Sequence, residues 1–223
     1  MTRISIRAAA WSVAACLLTC VPSAAGAASE LPPAVGPSEP QVAPVKGDDG
    51  IYHQSWFKES FLDLREDLEE AKAKGKRFVV IFEQVGCVYC TKMHKEVLSQ
   101  KYINDYVREN FVVVQMDLWG AREVTDFDGK TLTEKAIAKR WGVIYTPTIL
   151  FFTDDLTGKD GKSGRELEVS RIPGFFQTGT FYDMFTWVRI KGYEKEEHFQ
   201  KFHIRRLRER EALQKAGATT RTN

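Results

Sequence analysis

Runs of apolar residues alternate with amphipathic stretches through the middle of the chain and predict an α/β fold. Three runs are almost continuously apolar, which is typical of strands that are buried on both faces: residues 77–83, 111–116 and 148–152. Residues 166–171 alternate apolar and polar positions and predict a fourth, half-exposed strand. The turn-rich residues 158–164 join the third and fourth strands as a hairpin.

Between these strands, apolar residues recur at helical spacing. Three predicted helices cover residues 60–74, 91–98 and 178–190. Another begins at Ser99. The remaining helix begins at a capping box formed by Thr131 and Glu134 and ends at Gly142. The order strand, helix, strand, then hairpin and helix predicts a central mixed sheet of about four to five strands with helices on both faces.

The two ends of the chain differ from this core in composition. Residues 28–50 are rich in proline, glycine and alanine, which predicts a disordered tether before a domain over residues 51–192. Residues 193–223 are highly charged and predict a helical extension. This helix is either solvated, with three apolar residues lying back on the domain, or a docking helix for a partner protein. The three apolar residues are Phe199, Phe202 and Leu207.

Residues 1–27 have the composition of a secretory signal peptide. Arg3 and Arg7 supply a positive start, residues 8–21 are apolar, and residues 25–27 form an A-x-A cleavage site. The apolar stretch is short for a membrane span, although an uncleaved anchor remains an alternative. Cleavage after the A-x-A site predicts a periplasmic protein.

Loss of this segment changes both the charge and the cysteine count. The chain has 32 Lys and Arg against 30 Asp and Glu, and removal of the two signal arginines equalises these counts. A net charge near zero gives no electrostatic reason to expect nucleic acid or an anionic membrane as a partner. Of four cysteines, Cys16 and Cys20 leave with the signal.

The alternative to a cleaved signal peptide of this kind is a lipoprotein anchor, because Cys16 ends a lipobox-like Val-Ala-Ala-Cys sequence.

The remaining cysteines, Cys87 and Cys90, stand where a buried strand turns into a helix. The N–H groups and dipole at a helix start stabilise a thiolate, so we expect the pKa of Cys87 to be lowered, with Cys90 close enough to form a disulfide. A structural disulfide would close a minimal loop, and a zinc site would need four ligands where only His94 is nearby. Haem attachment needs a histidine at the position of Thr91. Redox use is therefore favoured.

Two segments resemble the thioredoxin superfamily. Residues 141–152 are similar to the segment that leads into the family's cis-proline and the strand after it, which implies that Pro147 is this proline, facing the cysteines, with Thr146 before it. Residues 82–94 are most similar to the periplasmic thioredoxins of bacterial sulfur-oxidation clusters, the SoxW type. The resemblance implies a thioredoxin-like fold over roughly residues 78–190.

The same resemblance implies roles for individual residues. Cys87 would attack a substrate disulfide as the thiolate, and Cys90 would resolve the mixed disulfide. An extended substrate segment would pair with the backbone beside the cis-proline. The substrate-contact surface would consist of Gly86, Val88, Tyr89, Thr146 and Pro147.

The chain departs from the family pattern near the cysteines. Thioredoxins have a tryptophan where this chain has Gly86, and a buried acid where it has Ile81. Glu83 lies two residues further on the same strand face, so it either replaces that acid as the proton acceptor or reaches solvent at the strand end. His94 is interpreted as a helix-surface or packing residue.

The sequence thus predicts a periplasmic thiol:disulfide oxidoreductase that acts as a monomer without a cofactor or bound metal. The leading hypothesis is a reductase that receives electrons from a membrane thiol carrier and reduces exported proteins, with sulfur-oxidation carrier proteins as targets by resemblance. The alternatives are a DsbA-like oxidase and a non-enzymatic chaperone or metallochaperone that uses Cys87, Cys90 and His94.

Overall fold

The computed structural model describes residues 31–220, so the predicted signal peptide lies outside the described residues. The strands are β1 (Val45–Lys46), β2 (Tyr52–His53), β3 (Arg77–Glu83), β4 (Phe111–Asp117), β5 (Glu123–Thr125), β6 (Thr131–Thr133), β7 (Thr148–Phe152) and β8 (Glu168–Pro173). The helices are α1 (Leu64–Ala73), α2 (Val88–Lys92), α3 (Lys101–Asn110), α4 (Glu134–Arg140), α5 (Gly164–Leu167), α6 (Thr178–Arg189) and α7 (Phe199–Thr220). A π-helical turn (Met93–Val97) continues α2, and a 3₁₀ turn (Gly192–Glu194) follows α6.

A four-stranded mixed sheet in the order β4–β3–β7–β8 forms the centre of the domain. Strand β3 is parallel to β4 and antiparallel to β7, and β7 is antiparallel to β8. The apolar runs that predict the first and third buried strands coincide with β3 and β7, and β4 is one residue longer than predicted. The predicted fold, a mixed sheet with helices on both faces, is confirmed.

Alternate residues of the central strands enter two separate apolar cores, as the two-residue period of a strand requires. Phe82 lies on one face with Phe127, Trp141 and Phe152. Ile81 lies on the other face with a set that comes from the π-helical turn, α3, β7 and α6, including Met93, Val97, Ile103, Phe151 and Phe185. The second core therefore holds the helix that carries the cysteines against the sheet.

Two predicted helix starts differ from the observed ones. Thr131 does not open a capping box, because Thr131–Thr133 pairs with β5 as a strand. Helix α4 begins at Glu134, with Thr133 as its cap, and the buried Glu134 carboxylate accepts from the Asp117 backbone and Arg122 instead. Ser99 does not cap α3 either, since its hydroxyl donates to the Lys95 carbonyl. Tertiary partners thus recruit Glu134, whereas Ser99 makes a local hydrogen bond to the preceding turn.

Two further element boundaries are displaced. Helix α1 begins at Leu64 because Leu62 has a φ of 62° and Asp63 accepts from the Glu66 N–H as the N-cap. The fourth strand begins at Glu168, because residues 164–167 form the short α5 that a capping box of Ser163 and Glu166 opens. Both predicted elements exist, but each starts later than its apolar pattern suggests.

The predicted disordered tether differs from the structure in its described part, residues 31–50. The Val42 N–H donates to the Ser99 carbonyl at 2.8 Å, and β1 pairs with β2. The carbonyls of Pro33 and Ala34 accept hydrogen bonds from Arg206 and Arg210 of α7. Proline-rich backbone has free carbonyl acceptors, and arginine donors of the fold satisfy them here.

The charged C-terminal extension is helical, as predicted, and α7 packs against α6. Phe202 is fully buried and Phe199 is partly buried in the second core, whereas Leu207 is 44% exposed and does not lie back as expected. The fully buried Asp183 of α6 bonds His203 at 2.6 Å and also pairs with Arg206 and Arg210. Two arginines of α7, Arg206 and Arg210, are therefore directed inward onto α6.

No helix within residues 31–220 combines the length and the apolar character needed to cross a bilayer.

We expect Asp183→Ala to lower the free energy of unfolding by about 3–5 kcal/mol, because it removes the fully buried carboxylate with which Arg206 and Arg210 of α7 form ion pairs. Urea denaturation of the oxidised protein measures this change. Glu69→Ala is the control: Glu69 and Lys72 form an exposed pair at 3.8 Å, and its loss should cost less than about 1 kcal/mol. An equal decrease in the free energy of unfolding in the two variants would show that Asp183 does not hold α7 against α6.

Candidate active site

The turn between β3 and α2 places the first cysteine at the edge of the sheet. Gly86 has a φ of +76°, a conformation that favours glycine, and a Cβ built there would meet no atom within 4 Å. Glycine at this position, where thioredoxins have tryptophan, is therefore explained by the positive φ angle and not by a lack of space for a side chain. The Cys87 N–H closes the turn on the Gln84 carbonyl at 3.3 Å.

Cys87 and Cys90 form a disulfide at the start of α2, and their environments differ. Cys87 is the N-cap residue, and its Sγ accepts from the Cys90 N–H at 3.0 Å. Cys87 is half-buried, whereas Cys90 is 3% exposed. The sulfur that a substrate can reach is therefore that of Cys87, and it accepts from the Cys90 N–H, which has no partner within the helix.

The predicted proline segment lies beside this disulfide. The Thr146–Pro147 peptide bond is cis, as the resemblance implies. The Thr146 hydroxyl donates to Cys87 Sγ at 3.3 Å, and the buried Pro147 carbonyl accepts from the Gly174 N–H at 2.8 Å. Two segments about sixty residues apart in the sequence thus meet at one sulfur.

Exposed apolar side chains surround the two segments. Of the predicted contact residues, Val88 and Tyr89 are exposed beside Gly86. Four further large apolar residues on the neighbouring loops are also exposed: Val85, Trp119, Ile144 and Tyr145. The Trp119 indole donates to the Gln84 side chain at 3.0 Å, which brings the end of β4 to the active-site turn. Strands β3 and β4 are parallel and end at the same edge of the sheet, so the position of Trp119 just after β4 is the sequence signal that could have identified it.

A buried polar pair lies under the same helix. Glu83, at the end of β3, is fully buried, and its Oε1 is 2.8 Å from His94 Nε2. His94 is also fully buried, so it is a packing residue and the helix-surface interpretation is wrong. Glu83 does not reach solvent. His94 follows Cys90 by four residues, so the two side chains lie on one face of the helix.

Two further residues complete the surroundings of this pair. His94 Nδ1 is 3.1 Å from the Gln54 side-chain nitrogen, and Gln115 Nε2 donates to Glu83 Oε1 at 2.7 Å. The sequence places Gln54 forty residues before His94 and carries no signal for their contact. The helical spacing of Cys90 and His94, combined with the strand position of Glu83, could have predicted the central pair.

The family model for the thioredoxin-like domain matches residues 64–186, which is more than half of the chain. The chain belongs to the thioredoxin-like family. This family membership accounts for the sheet order and for the position of the cysteine pair at the end of β3. Together with the Cys87–Cys90 disulfide, it identifies a thiol:disulfide oxidoreductase.

Several solved structures are similar to this thioredoxin-like chain. A thioredoxin-fold protein from Helicobacter pylori is 16% identical, with 60% of this chain and 82% of that chain covered and a TM-score of 0.47. A thioredoxin from Thermus thermophilus is 25% identical, with coverages of 61% and 95% and a TM-score of 0.45. The C-terminal domain of DsbD from Neisseria meningitidis is 18% identical, with coverages of 54% and 87% and a TM-score of 0.37. No curated protein matches this chain.

These TM-scores are low, so the family membership depends on the family model alone. Relative to the thioredoxin pattern, the buried acid is shifted along the strand. Ile81 occupies the expected position and packs in the apolar core with Met93 and Val97. Glu83 is the buried carboxyl group on the same strand face, two residues nearer to the turn.

We expect Thr146→Val to slow alkylation of the reduced Cys87 by about fivefold, because it removes one hydrogen bond, worth ~1 kcal/mol, from the thiolate. Iodoacetamide trapping at neutral pH measures this rate. Thr91→Val is the matched control, since the Thr91 hydroxyl donates to the Cys87 carbonyl at 3.1 Å and not to the sulfur. An equal effect of both substitutions would assign the loss to local packing.

Proposed function

We propose that this thioredoxin-like protein is a periplasmic reductase that transfers electrons to disulfides of exported proteins. One observation carries the proposal: an accessible Cys87 and a buried Cys90 share a disulfide at a helix start, beside Thr146 and the cis-proline. Nucleophile and resolving thiol need these two different environments, because the first must reach a substrate and the second must be shielded from it.

The proposed reaction has two exchange steps. The Cys87 thiolate attacks one sulfur of the substrate disulfide, so a mixed disulfide forms and a substrate thiolate leaves. The Cys90 thiol then loses its proton and attacks Cys87 Sγ, which breaks the mixed disulfide and releases the second substrate thiolate. The substrate gains two electrons, and the protein ends as the Cys87–Cys90 disulfide.

Glu83 is the proposed proton acceptor for Cys90. The second step requires a base, because Cys90 is buried and must be deprotonated before it attacks. Glu83 lies on the sheet face beneath the helix that carries Cys90, and its Oε2 is buried without a hydrogen-bond partner among the described residues. An unpartnered carboxylate oxygen at this depth is suited to receive a proton.

The proposed substrate surface consists of the exposed Gly86, Val88 and Tyr89, the half-buried Thr146 and the buried Pro147 that follows it. Within residues 31–220, neither the Thr146 N–H nor its carbonyl makes a backbone hydrogen bond. These two groups are therefore available to pair with an extended substrate segment beside Cys87, as in strand addition. The exposed Val88 and Tyr89, which follow Cys87 directly in the chain, would provide apolar contact.

The cellular setting of the proposal comes from the sequence. Residues 1–27 would direct export, and the mature chain would work as a monomer with only the Cys87–Cys90 pair. A membrane thiol carrier would return the electrons, because an exported protein has no access to cytosolic reductants. The resemblance of residues 82–94 to the SoxW type favours sulfur-oxidation carrier proteins as substrates.

We expect the oxidised wild-type protein to catalyse reduction of insulin disulfides with dithiothreitol as the electron donor. Cys87→Ser should lower this activity to the uncatalysed rate, because the nucleophile is lost. Cys90→Ser should accumulate a mixed disulfide through Cys87, which non-reducing electrophoresis and mass spectrometry detect. Failure of the wild-type protein to accelerate the reaction would reject the enzymatic function.

The direction of electron flow is tested separately by the reduction potential of the Cys87–Cys90 pair. For a reductase we expect a value close to that of thioredoxin, about −270 mV. Equilibration with glutathione or dithiothreitol redox buffers, followed by thiol trapping, measures it. A value near about −120 mV, like that of DsbA, would support the oxidase instead.

A further inference from the structure

Trp119, in the loop after β4, is an exposed aromatic residue that three contacts hold in one position. Its indole N–H donates to the Gln84 side chain at 3.0 Å, and its backbone N–H donates to Asp117 Oδ1 at 3.0 Å. Lys135 Nζ lies over the ring, 5.0 Å from its centroid. The side chain is nevertheless 61% exposed. An aromatic ring that is already ordered loses little conformational freedom when a partner packs on it.

The loop that carries Trp119 is fixed against the start of α4. The buried Glu134 carboxylate accepts from the Asp117 N–H at 3.0 Å, and the Lys135 N–H donates to the Gly120 carbonyl at 3.1 Å. A side chain at Gly120 is excluded, because a Cβ there would lie 2.0 Å from Glu134 Oε2. The fold therefore sets the position of Trp119 before any partner binds.

An apolar groove of about 510 Å³ is lined by this loop, by α4 and by the segment that leads into the cis-proline. The exposed Trp119 and Ile144 contribute to it, together with the buried Leu118 and Val143. Ile144 lies two residues before Thr146, whose hydroxyl contacts the reactive sulfur. This Trp119 groove therefore adjoins the sulfur that a substrate must reach.

Two lysines of α4, Lys135 and Lys139, line the same groove and make it electropositive. Both are exposed, and neither forms an ion pair within residues 31–220. Glu134, the buried acid at the start of the same helix, is paired with Arg122 instead. The groove thus combines an apolar lining with two positive charges that no carboxylate of the described chain neutralises.

The Trp119 ring also supplies an aromatic surface that the cysteine turn lacks. Thioredoxins have a tryptophan directly before the first cysteine, where this chain has the exposed Gly86. A Cβ at Gly86 would meet no atom within 4 Å, so the space around it is open. Gln84, two residues earlier in the same turn, accepts from the Trp119 indole. The aromatic surface thus comes from the loop after β4, next to the lysines, and not from the cysteine turn itself.

A polypeptide segment with acidic side chains is the occupant that these features favour. A substrate chain that pairs with the Thr146 backbone runs close to Ile144, so side chains next to its disulfide can reach the groove. The apolar lining binds an apolar side chain. The lysines attract carboxylates and repel basic chains. A basic segment or a wholly polar one would leave the charge or the apolar surface unmatched.

We propose that the Trp119 groove selects substrate proteins in which an apolar residue and a short acidic segment flank the reactive disulfide. The inference rests on the proposed function, since it names the substrate class of the same active site. The apolar side chain packs against Trp119 and Ile144, and the acidic side chains pair with Lys135 and Lys139. Charge pairs at an exposed site act mainly on the rate of association and on the rejection of basic partners.

Model peptides test this preference on the reduced protein. Each peptide has one cysteine, blocked as a mixed disulfide with 2-nitro-5-thiobenzoate. The protein dithiol reduces this bond, so the peptide thiol and the coloured thiobenzoate thiolate are released and the Cys87–Cys90 disulfide forms. The residues that flank the cysteine are leucine with two aspartates, leucine with two lysines, or serine with two aspartates. They precede the cysteine in one series and follow it in another.

Stopped-flow absorbance gives the rate constant for each peptide. We divide it by the rate constant of the same variant with 2,2′-dithiodipyridine, an uncharged small disulfide, to correct for any change in the reactivity of Cys87. In the series whose flanking residues enter the groove, the leucine–aspartate peptide should react roughly tenfold faster than the leucine–lysine peptide. Equal corrected rates for these two peptides in both series would overturn the proposal.

Charge reversal in the groove should invert the preference. We expect Lys135→Glu/Lys139→Glu to react faster with the leucine–lysine peptide than with the leucine–aspartate peptide. The matched control is Lys195→Glu/Lys201→Glu, which changes the net charge by the same amount at exposed positions; Lys201 is on α7, which packs in the second core on the other face of the sheet. The control should keep the wild-type preference, because solvent ions screen distant charges. Equal shifts in both double variants would assign the preference to net charge and reject the groove.

The apolar part of the proposal is tested by Trp119→Ala. We expect about a fivefold loss of rate with the leucine–aspartate peptide and a much smaller loss with the serine–aspartate peptide, because only leucine packs on the ring. Trp119→Phe should restore most of the rate. Equal losses with both peptides would show that Trp119 does not contact the apolar residue.

Two further results separate this inference from its alternatives. If the wild-type protein reduces insulin but does not distinguish the peptides, the inference fails while the proposed function stands. If sedimentation instead shows a dimer that Trp119→Ala dissociates, the groove is an interface between two copies of the chain, and the proposal is wrong.

Discussion

The burial of β3 on both faces is the constraint on which the rest of the structure depends. All seven residues of this strand are buried, so its side chains must alternate between two apolar cores. This packing fixes the position of the strand's C-terminal end at the edge of the sheet. The turn at Gly86 then delivers Cys87 to the sheet edge, and the second core holds the cysteine helix down. The accessibility of one sulfur and the burial of the other both follow from this geometry.

The same strand explains why a polar network can exist beneath the active site. Glu83 occupies the last core-facing position of β3, where the apolar packing of Ile81 and Met93 gives way to polar side chains from other elements. At this depth every donor needs an acceptor. The side-chain amides of Gln54, of Gln115 and of Asn104 on α3 donate hydrogen bonds in this network, although Gln115 Oε1 and Glu83 Oε2 have no partner among the described residues.

The sequence predicts those features that depend on local periodicity or on a short motif. Continuous apolar runs locate β3, β4 and β7, and the spacing of Cys87 and Cys90 identifies the redox pair. Capping signals succeed less often, since Glu134 is recruited by Asp117 and Arg122 instead of the helix start that it marks.

Features that depend on distant partners could not be predicted. Residues 31–50 have the composition of a flexible linker. Part of their order comes from the Pro33 and Ala34 carbonyls, which accept hydrogen bonds from arginines more than 170 residues away in the sequence. The contact of Gln54 with His94 has the same origin: each residue alone is compatible with an exposed position. Only the fold brings the complementary groups together, so the local sequence around each residue does not predict the contact.

Two fully buried carboxyl groups, Asp183 and Glu83, show how the partners of an acid determine its role. Asp183 contacts Arg206, Arg210 and His203, and these three contacts join α7 to α6. Because both Asp183 and Arg206 are buried, their ion pair is shielded from solvent and is suited to a structural role.

Glu83 has a different environment, because its contacts within residues 31–220 are the His94 ring and the Gln115 amide, with no arginine or lysine among them. A hydrogen bond from an uncharged amide holds a carboxyl group more weakly than an ion pair does. The role that we propose for Glu83, acceptance of a proton from Cys90, requires a carboxyl group that is not held in an ion pair with arginine, as Asp183 is.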